Sequence, residues 1–406
     1  MAISINEAIN IILDTIKKVT VEIVPIENAQ NKICAQNIIA THSLPTFNNS
    51  AMDGYGVKLS DAGTKVKVID TILAGSSKTT AIEKTQTIKI MTGARVPQSI
   101  EAIVPFELVT QTEDGYIILP KDIKENQHIR FKGEDIQKGD IILRESEEIN
   151  FATITMLTSQ GITHISTYRK PKITVFTSGE ELKPHYEKIE DYQIYNSNTP
   201  TLIARCKELG ADVTFVGMAK DNLESLKTMI SNALYSDLII TSGGISVGDA
   251  DFTKEAFESF NMNILFNGIA IKPGKPTVFG TINNTYILNL PGNPLAAALI
   301  FEMFGKIIIQ KLSGSKNIYH NTLLTKISED LKNKKGRDTL IPGFFDGEFF
   351  TPSAKRLPGM VGVLHNCNSM LVVDKDNGLI EKNSLVKILP INWKFFTSSY
   401  KDFFNK

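Results

Sequence analysis

Between residues 171 and 312 the apolar positions alternate between two periods. Short, nearly continuous apolar runs at 172–178, 212–217 and 237–242 predict buried strands. Between and after them, helical spacing recurs over 199–209, 222–235, 251–260 and 294–312. Strands alternating with helices predict a mostly parallel sheet covered by helices, with right-handed crossovers. Residues 41–138 lack that rhythm. Runs of Val, Ile and Thr at 66–72, 87–91 and 102–108, separated by turn residues, predict a small β-rich domain. Residues 313–406 read similarly, with strands at 323–327, 370–374 and 385–389 and turn material suited to a small barrel or sandwich.

The chain start differs again. Ser4 and Glu7 stand at capping-box spacing ahead of Ile5, Ile9, Ile12, Leu13 and Ile16, one stripe of a helix. Residues 19–26 read as extended and 28–39 as a second helix, while 151–161 predicts another helix. The simplest partition joins 1–40 and 139–170 in one helical module. The β-rich domain 41–138 is inserted into it, and the α/β domain 171–312 and a C-terminal β domain 313–406 follow.

Composition removes several classes. Lys+Arg and Asp+Glu are both 44, so no bulk basic charge points to nucleic acid. The most apolar run after the start, 294–301, is too short to span a bilayer, and no signal-type segment opens the chain. Cys34, Cys206 and Cys367 are scattered singly, against a disulfide framework or zinc site and in keeping with a reducing cytoplasm.

The candidate chemistry gathers after the predicted strands, because ligands of such sheets bind beyond the strands' carboxyl ends. After 172–178 comes Gly179-Glu-Glu181, and after 212–217 come Lys220 and Asp221. After 237–242 comes Gly243-Gly-Ile-Ser-Val-Gly-Asp-Ala-Asp251. Gly243 and Gly244 allow a sharp turn and close backbone approach to a ligand. Carboxylates beside an anion site make sense when a divalent cation such as Mg²⁺ lies between them and phosphates. Glu181, Asp221 and Asp251 are its candidate ligands, with Asp249 and Ser246 in the same loop. Lys272-Pro-Gly-Lys-Pro276 adds two compact cations suited to an oxyanion. Leu290-Pro-Gly-Asn-Pro294 is a rigid loop whose Pro294 suits a helix start, with Pro291 and Asn293 in its wall. In the β-rich domain, Asp53-Gly54 and Thr92-Gly-Ala94 are further candidate loops.

These segments resemble a known family. Asn49-Ser-Ala-Met-Asp-Gly-Tyr55, Met91-Thr-Gly-Ala94, Lys132-Gly-Glu-Asp135, Gly179-Glu-Glu-Leu182, Ser242-Gly-Gly-Ile-Ser-Val-Gly248, Ile271-Lys-Pro-Gly-Lys-Pro276 and Leu290-Pro-Gly-Asn-Pro294 carry the resemblance. In that order they are similar to the MoeA-type molybdopterin molybdenumtransferases, which include the gephyrin E domain. The resemblance implies an elongated homodimer of four-domain subunits acting in molybdenum cofactor biosynthesis, with transient contacts to other proteins of that process. The implied reaction takes adenylylated molybdopterin and molybdate, inserts molybdenum at the dithiolene and releases AMP with the help of Mg²⁺. Asp53 and Thr92 would approach the α/β domain of the neighbouring subunit. Glu181, Asp221 and Asp251 would hold the cation, Gly243, Gly244 and Ser246 would cradle phosphate or pterin oxygens, and Lys272 and Lys275 would counter molybdate. The last domain departs from the pattern of many relatives, with Pro342 in place of an arginine and Pro358 in place of a serine; proline cannot donate as those residues do, so no molybdate contact is assigned to this domain. Two other readings remain open: an adenylyltransferase that makes the intermediate, and a scaffold that binds pterin without turnover.

Overall fold

The computed structural model describes residues 2–112, 114–220, 222–243, 252–393 and 404. Contacts divide the chain into two compact units. The larger comprises Met1–Ala35, Ser146–Asn150 and His164–Lys406; the smaller comprises Gln36–Glu145 and Phe151–Thr163.

In the larger unit, the α/β sheet is built from strands β1 (Lys172–Ser178), β2 (Asp212–Ala219), β3 (Leu238–Ser242), β4 (Asn263–Asn267), β5 (Val278–Ile282) and β6 (Thr285–Leu290). Their order is β2-β1-β3-β6-β5-β4. The first four run parallel, and β5 and β4 close the edge antiparallel. Helices α1 (Asn198–Glu208), α2 (Leu223–Ala233), α3 (Phe252–Ser259), α4 (Pro294–Ile300) and α5 (Lys306–Leu312) cover it. Alternation along each strand explains why both faces are covered. Val175, Ile240 and Leu288 enter one core with Leu202 of α1, whereas Phe176, Ile239 and Ile287 enter another with Leu226 of α2 and Phe257 of α3. Each such fully buried side chain contributes about 1.5–3 kcal/mol of transfer free energy, so a one-residue slip in register would reverse both cores.

The antiparallel edge is new relative to the sequence reading, which left 263–290 without strands. Asn283, with φ of 51°, turns β5 into β6. The predicted helix over 294–312 is interrupted by a π-helical turn at Phe301–Gly305. A Cβ at Gly305 would lie 2.4 Å from the Phe301 ring, so glycine lets that ring cross the widened turn.

Near its C-terminus the chain closes a five-stranded barrel. Its strands are β7 (Leu323–Ile327), β8 (Asp338–Phe345), β9 (Phe349–Pro352), β10 (Ser369–Val373) and β11 (Leu385–Pro390). They pair in the order β8-β9-β7-β11-β10, and β10 returns to β8. Ile327, Ile341, Phe350, Leu371 and Ile388 fill the interior. A two-residue strand, Ile271–Lys272, adds in parallel beside the start of β8.

The amino-terminal helix, Ile5–Thr15, has the expected capping box and packs on α5. Val21–Pro25 is extended and pairs antiparallel with His164–Tyr168. The helix expected over 28–39 does not form. A single 3-10 turn at Ile26–Asn28 ends with Asn31 at φ of 62°. Ile33 and Cys34 then make isolated bridges to Glu148 and Thr167. Backbone pairing with distant segments wins there over weak local helical spacing.

The smaller unit pairs Ile38–Ile39 with Ile141–Leu143 and carries the expected helix, Phe151–Ser159. Its six-stranded sheet runs Ala102–Pro105, Gly54–Val57, Gln86–Ile90, Lys65–Ile72, Tyr116–Ile118, Thr110–Gln111. Ile72, Ile88, Ile90 and Ile103 are fully buried in one core of this unit.

Candidate functional site

The carboxyl ends of β1, β3 and β6 form a hydrogen-bonded polar junction in the α/β domain. Gly243 follows β3 at φ of 94°, a region that disfavours side chains, and a Cβ there would lie 2.8 Å from the Ser178 carbonyl oxygen at the end of β1. Its N–H donates to the Leu290 carbonyl across 3.3 Å. A Cβ on Gly292 would stand 3.3 Å from the Gly243 Cα. Two glycines thus let the turn after β3 and the Pro-Gly loop after β6 lie backbone to backbone.

Side chains lock this arrangement. Asn198 Nδ2 donates to Ser242 Oγ and to the Gly292 carbonyl, each at 2.7 Å, and Ser242 Oγ donates to the Pro291 carbonyl at 3.0 Å. Asn196 is buried, with Nδ2 donating to Thr177 Oγ1 at 3.0 Å and Thr199 Oγ1 at 2.9 Å. None of Asn196, Asn198 and Ser242 was among the residues expected to form the site. Asn-Ser-Asn ahead of a helix is ordinary capping sequence, so its spacing carries no signal of this junction.

The Pro-Gly-Asn-Pro loop ends where expected, with Asn293 at the N-cap and Pro294 opening α4. Asn293 makes no side-chain capping bond; instead the Leu295 N–H donates to the Pro358 carbonyl at 2.9 Å. Pro358, where a side-chain donor is missing, therefore supplies an acceptor that docks the barrel's 353–362 loop on α4. Pro342 lies within β8, opposite Met370.

The lysine loop is fixed from below. Gly274 has φ of 109°, and a Cβ there would meet the Ile300 side chain at 2.3 Å. Thr277 Oγ1 donates to the Gly274 carbonyl at 2.7 Å. Lys272 and Lys275 are exposed and make no ion pair among the described residues. Cations left unpaired on a rigid loop are available to an anion.

Of the three expected cation ligands, Glu181 lies three residues beyond the end of β1. Gly179, at φ of 147°, lets the chain fold back so that the Glu181 carboxylate lies 2.9 and 3.0 Å from where a Gly179 Cβ would be. That carboxylate is exposed and has no partner among the described residues. A free, hard oxygen donor of this kind fits a hard divalent cation. Asp221 and Asp251 lie outside the described residues, as do Gly244, Ser246 and Asp249. Among the described residues no group of three or more His, Cys, Asp or Glu is placed to share a metal ion.

In the smaller unit, Asp53 and Thr92 are brought together. Asp53 Oδ1 accepts from the Thr92 N–H at 2.7 Å and from Thr92 Oγ1 at 2.9 Å. Asp53 immediately precedes the strand Gly54–Val57, which pairs on both sides. The Thr92 N–H, then its hydroxyl, hold the Asp53 carboxyl below the usual aspartate range, with Lys89 adding to the effect. The group is thus charged at neutral pH and loses its charge only as pH falls below the ordinary value. A carbon-detected titration should place the Asp53 midpoint below 3.8, and Thr92→Val, which keeps the N–H but removes the hydroxyl, should move it part of the way back. An unchanged midpoint in that variant would show that the hydroxyl bond is not made.

Two of the three thiols are held in their unreactive form. Burial pushes Cys206 up to about 12 and Cys367 up to about 11, so both stay protonated at neutral pH.

Two family models match the chain. Residues 3–161 match the model of the MoeA N-terminal region (domain I and II), and residues 174–311 match the probable molybdopterin binding domain. A molybdopterin molybdenumtransferase from Haemophilus influenzae is 34% identical over 91% of this chain and 94% of its own. One from Staphylococcus epidermidis is 32% identical over 95% of each. The crystal structure of the molybdopterin biosynthesis MoeA protein from Pyrococcus horikosii superposes with a TM-score of 0.84 at 26% identity, covering 97% of this chain and all of that one. Matched along nearly its whole length, the chain belongs to the molybdopterin molybdenumtransferase family.

Proposed function

We propose that this protein inserts molybdenum from molybdate into adenylylated molybdopterin, releasing AMP, as a homodimer in the cytoplasm. The observation that carries this reading is the locked junction of Ser178, Ser242–Gly243 and Leu290–Asn293. It offers glycine backbone to a ligand at the sheet edge where α/β proteins bind phosphates. Among the described residues no helix is long and apolar enough to cross a membrane.

In this reading Gly243, Gly244 and Ser246 cradle phosphate or pterin oxygens through hydrogen bonds, with Asp249 beside them. Pro291, Asn293 and Pro294 form a wall that holds its shape without the substrate, so little ordering is needed on binding. Lys272 and Lys275 oppose the charge of molybdate. Glu181, Asp221 and Asp251 would hold Mg²⁺, which when bound neutralises charge on the diphosphate. Asp53 and Thr92, on the smaller unit, belong to the same reaction and present a fixed carboxylate.

The test is to incubate purified protein with adenylylated molybdopterin and Mg²⁺, with and without molybdate, and to quantify AMP. Release only in the presence of molybdate is expected. Formation of adenylylated pterin from ATP and molybdopterin would identify an adenylyltransferase instead. Tight binding without turnover would identify a scaffold.

A further inference from the structure

We infer that Asn198 is a positioning residue for the pterin substrate: one carboxamide sets the separation between the glycine turn after β3 and the Pro-Gly loop after β6. This inference rests on the function proposed above and adds a residue to it.

The orientation of the amide follows from its partners. The Gly292 carbonyl can only accept, so the Asn198 atom 2.7 Å away must be the NH₂ group. The second proton of that group goes to Ser242 Oγ, also at 2.7 Å. Ser242, accepting there, sends its own proton to the Pro291 carbonyl. With the Gly243 N–H on the Leu290 carbonyl, three consecutive carbonyls of the loop, 290, 291 and 292, are each held by a donor. Asn198 and Ser242 are the two side chains that hydrogen-bond residues 290–293 among the described residues.

Asn198 is itself well anchored. It is the first residue of α1, whose Leu202 and Cys206 are buried, and it lies two residues after Asn196, tied to Thr177 and Thr199. It therefore transmits the position of a rigid helix to two loops that are otherwise joined by the Gly243–Leu290 backbone bond of 3.3 Å and the Ser242–Pro291 bond of 3.0 Å. Without its donors, the Gly292 carbonyl loses its partner and the Gly243–Gly292 approach loses its clamp. A displacement of about 1 Å at such a wall is enough to weaken a bound state substantially.

The variants Asn198→Ala and Asn198→Asp test this. The second keeps the shape of the side chain but sets a carboxylate against the Gly292 carbonyl, and it serves where the alanine variant does not fold. Thr285→Ala is the control. It removes a buried hydroxyl that bonds the Leu234 and Ser236 carbonyls, at the opposite end of β3 and β6. Loss of wall geometry should raise KM for adenylylated molybdopterin about 10-fold or more, with kcat within about threefold. Titration by pterin fluorescence, without molybdate, should show the same loss of affinity. Thr285→Ala should lower the melting temperature comparably yet leave KM within about twofold. Wild-type KM and affinity in both Asn198 variants would overturn the inference, and so would an equal rise of KM in Thr285→Ala. If the wild-type protein itself neither binds the adenylylated pterin nor releases AMP from it, the functional reading fails and this inference with it. The wild-type measurement alone distinguishes that case.

Discussion

Replacing Glu181 by glutamine is expected to lower molybdate-dependent AMP release by about 100-fold or more, a loss of several kcal/mol of transition-state stabilisation. The same variant should unfold at the wild-type temperature, because an exposed carboxylate without a partner contributes within about 0.5 kcal/mol to stability. Glutamine keeps the length and one oxygen but removes the charge that a divalent cation requires. The variant should therefore need more Mg²⁺ to reach its own maximum, and chelation should abolish the wild-type activity. Wild-type turnover of Glu181→Gln across a Mg²⁺ titration would remove Glu181 from the cation site.

The second large effect is structural. Glu302, on the π-helical turn, is 8% exposed and Arg205 of α1 is 20% exposed. Arg205 Nε donates to Glu302 Oε1 at 2.6 Å and Nη2 to Glu302 Oε2 at 3.1 Å. Nη2 also reaches the Ile391 carbonyl, just after β11, at 2.7 Å, and Lys306 stands 3.4 Å from the same carboxylate. This cluster joins the α/β domain to the barrel. Glu302→Ala removes two bonds from a partly buried guanidinium, which keeps Glu208 at 2.6 Å and the Ile391 carbonyl, and should cost about 1.5–3 kcal/mol, a sizeable share of the roughly 5–15 kcal/mol that holds a domain folded. Changing both partners together, Arg205→Met with Glu302→Met, should recover part of that loss, because the charges left behind, Glu208 and Lys306, are more exposed than Glu302 and can turn to solvent. Urea unfolding measures both. A single-variant loss below about 1 kcal/mol would mean that solvent reaches the pair and screens it.

Local physics made much of the fold readable. The Ser4–Glu7 capping box, β1 and the proline at the start of α4 follow from spacing and backbone preference alone, and each formed as the sequence implies. The segment 28–39 shows where such reading stops. Its apolar positions suit a helix, yet Ile33 and Cys34 bridge to Glu148 and Thr167, which lie more than a hundred residues away. Similarly, β4, β5 and β6 received no assignment from the sequence: β4 stands ahead of the loop at 272–276, and β5 and β6 lie between that loop and 290–294, parted by Asn283. Only the sheet they complete makes them strands.

The candidate site divides in the same way. Residue type and motif order are written in the chain, and they determined the family and the kinds of group available: glycine turns, two lysines, single carboxylates. Which groups meet was decided by tertiary structure. The Asp53–Thr92 bond spans 39 positions, and the Asn198 amide reaches across 44 and 94 positions to its two partners. A hydrogen bond is specified by a distance of a few ångströms in space, and contacts that far apart along the chain leave no period for a sequence to display.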